Sequence, residues 1–134
     1  MDDIFVARVM SSSLTTVSPE TLVEDAAQEM LANEIGSVIV VDDEGGLEGI
    51  LTTTDFVQIV AERKPKDQTP VSTYMSQNVT TGRAQESIRA AADTMVEHGF
   101  HHLPIVDDDE GVIGILTTSD LASYLSHAQT PSPE

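Results

Sequence analysis

Two copies of one short segment contain residues that could bind a phosphorylated sugar. Residues 49–55 have the sequence GILTTTD, and residues 114–120 have the sequence GILTTSD. In each copy we expect a strand to end, and a helix to begin, at the first Thr. The free N–H groups at a helix N-terminus attract phosphate, and an Asp in the first turn could accept hydrogen bonds from a ribose diol. The simpler interpretation is a helix cap, with the Asp as a favourable first-turn acid.

The two segments belong to a longer internal repeat, because the chain matches itself without gaps after a shift of 65 residues. Met10 aligns with Met75, and Val41–Asp43 aligns with Val106–Asp108. Identical residues in register over about 60 positions indicate a tandem duplication.

The duplication predicts two units, over residues 6–64 and 71–129, joined by a polar linker over residues 65–70. Residues 130–134 are expected to form a flexible C-terminal tail. A unit of about 60 residues is marginally stable alone, so we expect the two units to pack about a pseudo-twofold axis. That packing would create a cleft with two related sites.

Each unit is predicted to follow the order strand, helix, strand, strand, helix, which gives a mixed α/β (α+β) fold of two β-α-β-β-α units. In the first unit we expect a short strand at Leu14–Val17, followed by a helix that is capped by Ser18–Pro19 or Thr21 and ends near Asn33–Gly36. Strands are expected at Ser37–Val41 and Leu47–Leu51. A second helix should run from Thr52–Asp55 to about Arg63. In the second unit we expect a helix at Glu86–His98, strands at Leu103–Val106 and Val112–Leu116, and a helix from Ser119 to about Ser126.

Composition excludes several classes of partner. The 134 residues include 23 Asp and Glu against 6 Lys and Arg, a formal net charge of -17. Such a chain would be repelled by nucleic acid phosphates and by anionic membranes. Its acids are spread along the chain, which resembles proteins of salt-accumulating halophilic microbes; an ordinary acidic protein is the alternative. No apolar run could span a membrane and no signal peptide is recognisable, so we expect a cytoplasmic protein.

The sequence offers little for catalysis. It contains no cysteine, which excludes thiol chemistry and disulfides. It has neither a recurring Ser/His/Asp arrangement nor a Walker-type glycine loop. We therefore expect a protein that is not an enzyme and has no obligatory cofactor. The acidic turns at residues 42–44 and 107–110 lack the spacing of a calcium loop, so no metal site is predicted.

The repeated glycine-to-aspartate segment, the sequence HHLPIVD at residues 101–107 and the opening Val9–Ser11 together resemble a tandem pair of cystathionine-β-synthase (CBS) domains, the Bateman module. The resemblance covers about residues 4–128. It implies a cleft for an adenosine-containing ligand, such as AMP, ADP, ATP or S-adenosylmethionine.

The resemblance also assigns roles to individual residues. In the family the Thr or Ser of Gly-x-x-Thr-x-x-Asp faces phosphate and the Asp binds ribose, which corresponds here to Thr52 with Asp55 and to Thr117 with Asp120. Apolar and backbone contacts to the adenine are implied at Met10, Thr16, Ser37, Val38, Met75, Thr81, His102 and Pro104.

The chain departs from the family pattern at two places. Many relatives have an Arg just before the ribose Asp, where this chain has Thr54 or Ser119. The first unit has Ile39 where the second has Pro104, so the second unit resembles the family more closely.

Two features bear on how a ligand would be held. His101 or His102 could contact a ligand phosphate in place of the missing arginines, or could form a turn with one ring packed and the other in solvent. S-adenosylmethionine carries a positive sulfonium, which suits acidic surroundings better than a polyphosphate does. A structural adaptor that has lost ligand binding is the alternative function.

The resemblance further implies a homodimer, arranged as a flat disc of four units and formed through the second helix of each unit. Residues that could contribute to it, or could instead pack in the core, are Val57, Ile59, Val60, Leu121 and Tyr124. Because no output domain is recognisable in the sequence, the response to a ligand is expected to pass to a separate effector protein.

Overall fold

The computed structural model describes residues 4–128 and divides them into two compact bodies. We call residues 14–79 the central body, and residues 4–13 with residues 80–128 the split body. The bodies and the sequence repeats divide the chain at different places, because the opening segment of each repeat lies in the body that holds the rest of the other repeat. The predicted tail at residues 130–134 lies outside the described residues.

The central body contains a three-stranded sheet and two helices. Its elements are β1 (Thr16–Val17), α1 (Val23–Asn33), β2 (Ser37–Val41), β3 (Leu47–Thr52), α2 (Thr53–Ala61) and a short 3-10 helix (Val71–Thr73). β1 pairs with β2 in parallel, and β2 pairs with β3 in antiparallel orientation. Ser76 forms an antiparallel bridge with Ile50, which adds the opening segment of the second repeat to the free edge of β3.

The split body has the corresponding architecture. Its elements are a 3-10 helix (Val6–Arg8), α3 (Ile88–His98), β4 (His102–Asp107), β5 (Gly111–Thr117) and α4 (Thr118–Ala128). β4 and β5 are antiparallel. A single parallel bridge from Gly82 to Ile105 stands in the place of β1, and an antiparallel bridge from Ser11 to Ile115 matches the one at Ser76. The predicted α+β class is confirmed.

Each core forms between a central strand and the apolar face of the preceding helix. The predicted burial of β2 on both faces is confirmed, because the four residues Ser37–Val40 are all buried. In the central body this strand packs with Val23, Ala26, Met30, Leu51 and Ile59. The split-body core contains Ile88, Ala91, Met95, Leu103, Ile105 and Leu116.

The predicted start of α1 is wrong. The helix begins at Val23, and neither Ser18–Pro19 nor Thr21 caps it. Instead, the N–H of Val23 donates a hydrogen bond to the carbonyl of Thr69 at 2.8 Å. The linker backbone thus does what a capping side chain would otherwise do at a helix start. The other predicted boundaries lie within two residues of those observed.

Candidate functional site

In the central body the Thr–Asp segment forms a helix cap at the end of a strand. β3 ends at Thr52, which is the N-cap residue of α2. Its N–H donates to Oδ2 of Asp55 at 2.8 Å, and its hydroxyl lies 3.4 Å from the same oxygen. Both residues are half-buried. No hydrogen bond reaches Oδ1 of Asp55 from any residue that the structure describes, so this oxygen remains available as an acceptor.

The cap of the split body is reciprocal, as is the capping box that Thr52 and Asp55 form in the central body. The N–H of Thr117 donates to Oδ2 of Asp120 at 2.9 Å, and the N–H of Asp120 donates to the hydroxyl of Thr117 at 3.0 Å. The hydroxyl of Ser11 also donates to Oδ1 of Asp120, at 3.3 Å. The helix-cap interpretation is therefore confirmed in both copies, and it uses only one carboxylate oxygen of each Asp.

Each helix start also has a backbone contact that reduces the number of free N–H groups. The N–H of Thr53 donates to the carbonyl of Gly36, and the N–H of Thr118 donates to the carbonyl of His101, both at 3.1 Å. A phosphate at either site would therefore depend on the remaining N–H groups of the first turn.

Six of the proposed ligand-binding residues lie in the central body. Ser37 pairs opposite Thr52 across β2 and β3, and Val38, next to Ser37, is also buried. Thr16 is exposed on β1, beside Ile39. The full set in this body is Thr16, Ser37, Val38, Thr52, Asp55 and Met75.

The remaining seven lie in the split body. His102 pairs opposite Thr117, and the buried Pro104 pairs opposite Ile115. Thr81 is half-buried and His101 is exposed. The full set in this body is Met10, Thr81, His101, His102, Pro104, Thr117 and Asp120.

Each of the two motif methionines lies in the body that holds the rest of the other repeat. Met10 belongs to the first repeat but lies against Gly114, and Met75 belongs to the second repeat but lies against Gly49. A Cβ on Gly49 would lie 2.9 Å from Sδ of Met75 and 2.6 Å from the carbonyl oxygen of Ser76. The motif glycine therefore permits close approach of the other repeat's opening segment.

Sequence reasoning gave this glycine no role. The signal was present, because both the Gly and the Met recur after the 65-residue shift. The sequence does not show which Met lies against which Gly, because Met10 and Met75 occupy equivalent positions and each would fit either repeat.

The electrostatics of the split body limit what the histidines can do. Burial lowers the pKa of His102, the neighbouring His101 lowers it further, and Asp120 opposes both effects. His102 is therefore neutral at pH 7 and would meet a phosphate without a charge. Arg83 is paired with Asp108 at 2.8 Å, an exposed contact that raises the pKa of the arginine.

The acidic turns are explained by their own backbone contacts. Oδ1 of Asp42 accepts hydrogen bonds from the N–H groups of Glu44 and Gly46, at 2.9 and 2.7 Å. Oδ2 of Asp107 accepts from Asp109 in the same way, at 2.9 Å. Within residues 4–128 no group of three or more His, Asp or Glu side chains is arranged to hold a metal ion.

Comparison with known proteins identifies the family. The family model of the CBS domain matches residues 6–62 and again residues 71–127. The chain belongs to the CBS domain family. The two matches make it a tandem CBS pair, as the sequence resemblance predicted.

Relatives of this CBS pair include proteins of similar length and larger enzymes. The CBS domain-containing protein YhcV of Bacillus subtilis is 34% identical over 117 residues, which cover 87% of this chain and 82% of YhcV. The homoserine O-acetyltransferase of Methanosalsum zhilinae is 31% identical over 127 residues, but these are only 25% of the enzyme.

Two solved structures similar to this CBS pair contain adenosine compounds. The CBS domain pair of MJ0100, in complex with 5′-methylthioadenosine and S-adenosylmethionine, has a TM-score of 0.86 and 26% identity, covering 93% of this chain and 98% of that one. CBSX2 in complex with AMP has a TM-score of 0.80 and 25% identity, covering 94% and 98%. None of the helices in residues 4–128 of this chain is long and apolar enough to cross a bilayer.

Proposed function

We propose that this CBS pair is a regulatory module that binds an adenosine-containing ligand at its Thr–Asp helix starts. The observation that carries the proposal is that each start keeps an Asp carboxylate at a strand-to-helix junction, with one oxygen outside the cap. A ribose diol could donate to that oxygen while the cap stays formed. The ligands bound by the similar CBS pairs support adenosine as the common part.

The charge of the chain favours ligands with few phosphates. His102 is neutral at pH 7, and Thr54 and Ser119 stand where many relatives have an arginine. A polyphosphate would enter an acidic chain with little to neutralise it. S-adenosylmethionine, 5′-methylthioadenosine and AMP are therefore favoured over ATP.

A calorimetric titration tests this proposal. Wild type and Asp120→Ala are titrated in molar KCl with AMP, ATP, S-adenosylmethionine and 5′-methylthioadenosine. We expect saturable heat from at least one compound, and weaker binding by the variant. Asp43→Ala removes the same charge from an exposed turn and serves as the matched control. Absence of heat from all four compounds would overturn the proposal.

The alternative is a structural adaptor that acts without a ligand. It is favoured by the caps, which account for the Thr and Asp side chains in both bodies without any ligand. If no adenosine compound binds while the chain still self-associates, the adaptor is the correct function.

We further propose that the module acts as a cytoplasmic homodimer that passes its response to a separate effector protein, and that its acidity is an adaptation to high salt. The dimer proposal is supported by exposed apolar residues on α2, namely Val57 and Val60, which are 69% and 76% exposed. Ile59, in contrast, is buried in the core. Light scattering in molar KCl should give twice the mass of one chain.

A further inference from the structure

Ser11 lies beside the Asp of the split-body site, although it is outside the repeated glycine-to-aspartate segment. Its hydroxyl donates to Oδ1 of Asp120 at 3.3 Å, while Oδ2 of the same carboxylate accepts from the N–H of Thr117 in the helix cap. Ser11 is exposed, so its hydroxyl is accessible to a molecule that approaches Asp120 from solvent. The split-body site therefore presents two oxygen acceptors outside the cap, the hydroxyl of Ser11 and Oδ1 of Asp120.

The backbone holds Ser11 in place at this site. Its N–H donates to the carbonyl of Ile115, and its own carbonyl accepts from the N–H of Ile115, both at 2.9 Å. Ile115 belongs to the segment GILTTSD, and Met10, the neighbour of Ser11, lies against Gly114 of the same segment. Because this arrangement exists without a ligand, a ligand that contacts Ser11 pays little entropy to order it.

The central body has the same backbone arrangement without the side-chain contact. Ser76 exchanges the equivalent two backbone hydrogen bonds with Ile50, at 3.1 and 2.9 Å. Among residues 4–128, however, no hydrogen bond joins the hydroxyl of Ser76 to Asp55, whose Oδ1 is the carboxylate oxygen outside that cap. The paired acceptors of Ser11 and Asp120 are therefore a property of the split-body site.

Two neighbouring acceptors match the chemistry of a vicinal diol. The two hydroxyls of a ribose are on adjacent carbon atoms, so their oxygens lie about as close together as two hydrogen-bonded oxygens. One hydroxyl can donate to Oδ1 of Asp120 while the other donates to the hydroxyl of Ser11. Donation to a carboxylate also polarises the Ser11 hydroxyl and makes its oxygen a better acceptor. A sugar that lacks one of the two hydroxyls can use only one of these acceptors.

We propose that Ser11 is a specificity-determining residue of the split-body site, where it recognises one ribose hydroxyl while Asp120 recognises the other. The inference rests on the proposed function, because it needs an adenosine ligand at the Thr–Asp helix start, and it adds that this site selects ribose over deoxyribose. A hydrogen bond between uncharged groups is lost at a cost of about three- to tenfold in affinity, so this is the discrimination expected from Ser11.

Deoxy analogues test this role by calorimetry in molar KCl. Whichever of AMP, ATP, S-adenosylmethionine and 5′-methylthioadenosine the wild type binds best is compared with its 2′-deoxy and 3′-deoxy forms. The chains carry Asp55→Ala, so that binding is measured at the split-body site, with or without Ser11→Ala. With Ser11 present, both deoxy forms should bind more weakly than the parent compound. Ser11→Ala should abolish the discrimination against one deoxy form and keep the discrimination against the other, which depends on Asp120.

Ser76→Ala provides the matched control, because it removes the equivalent hydroxyl of the central body. It is compared in chains that carry Asp120→Ala, where we expect no change in the discrimination against either deoxy form. Both Ser variants should fold, as measured by circular dichroism, because the backbone hydrogen bonds of Ser11 and Ser76 do not involve their side chains.

Two results would overturn this inference alone. One is a Ser11→Ala chain that discriminates against both deoxy forms as strongly as the chain with Ser11. The other is tighter binding of the parent compound by Ser11→Ala, which would mean that Ser11 competes with the ribose for Asp120. If the wild type binds none of the four parent compounds, the proposed function fails together with the inference, so the two failures are distinguishable.

Discussion

In the central body, Asp55 accepts from the backbone of Thr52 through one oxygen and keeps the other free of partners among the described residues. In the split body, Asp120 uses both oxygens, one for Thr117 and one for Ser11. The local sequences are nearly identical. The segments received from the other repeat are also alike at this point, because Ser76 bridges Ile50 in the central body where Ser11 bridges Ile115 in the split body. Residue type therefore does not separate the two sites. They differ in a single side-chain contact, since the hydroxyl of Ser11 donates to its carboxylate and no such bond from Ser76 occurs among the described residues.

The two bodies also differ in charge. Of the changes considered, we expect a change of salt concentration to have the largest effect on the stability of the folded chain. Residues 14–79 hold twelve acidic and three basic residues, against eight and three in the described part of the split body. Lowering KCl from 1 M to 0.1 M lengthens the screening distance from about 3 to about 10 Å, so repulsion increases. The free energy of unfolding of such a domain is about 5–15 kcal/mol, and we expect a large part of it to be lost.

Hydrogen exchange followed across a KCl series measures this loss in each body. Peptides from residues 14–79 should lose protection at a higher salt concentration than those from residues 80–128. A chain that stays equally protected in dilute buffer would contradict the proposed salt adaptation.

The motif glycines provide the next comparison. At Gly49 a Cβ would meet a backbone oxygen, that of Ser76, at 2.6 Å, whereas at Gly114 the nearest atom is Sδ of Met10 at 2.7 Å, at the end of a flexible side chain. We expect Gly49→Ala to lower the free energy of unfolding by about 2–3 kcal/mol and Gly114→Ala by about 1 kcal/mol. Urea unfolding in molar KCl measures both. Equal losses of unfolding free energy would mean that the opening segments of the two repeats pack equally tightly against the two glycines.

The ends of α1 and α3 offer a smaller effect. Glu34 adopts a left-handed conformation with φ of 54°, at the position where the second repeat has Gly99 with φ of 72°. Because a side chain is disfavoured there, Glu34→Gly should raise the free energy of unfolding by about 0.5–1 kcal/mol, while Gly99→Ala should lower it by about 1 kcal/mol. Thermal unfolding of the two variants measures both changes. A loss of stability for Glu34→Gly would refute this explanation.

The smallest effect concerns pH. The pKa of His102 is lower in the folded chain, so the unfolded chain takes up the proton first as the pH falls. Wild type should therefore lose stability below about pH 6.5, the ordinary pKa of histidine. His102→Ser copies Ser37, the equivalent residue of the central body, and should reduce this loss. Urea unfolding at about pH 7.5 and 5.5 measures it; the same pH dependence in both proteins would contradict the assignment.

Much of the fold could be predicted because it is encoded locally. The β-branched run at Ser37–Val41 and the helical spacing of Val23, Ala26 and Met30 gave elements that the structure confirms. The start of α1 could not be predicted, because its cap is the carbonyl of Thr69, more than forty residues away.

The candidate site was predictable to the same extent. The strand-to-helix position of Thr52 and Thr117 follows from local pattern and is confirmed. The exchange of Met10 and Met75 between bodies could not be predicted, because each methionine fits either copy of a repeated surface equally well.

Calorimetry on Asp55→Ala, Asp120→Ala and the double variant, titrated in molar KCl with the adenosine compound that wild type binds best, tests the central claim most directly. A hydrogen bond to a charged group contributes about 1.5–3 kcal/mol, so each single variant should lose at least about tenfold in affinity at its own site. The double variant should bind no ligand while its circular dichroism remains that of a folded chain. A double variant that is folded and binds as tightly as wild type would contradict the account.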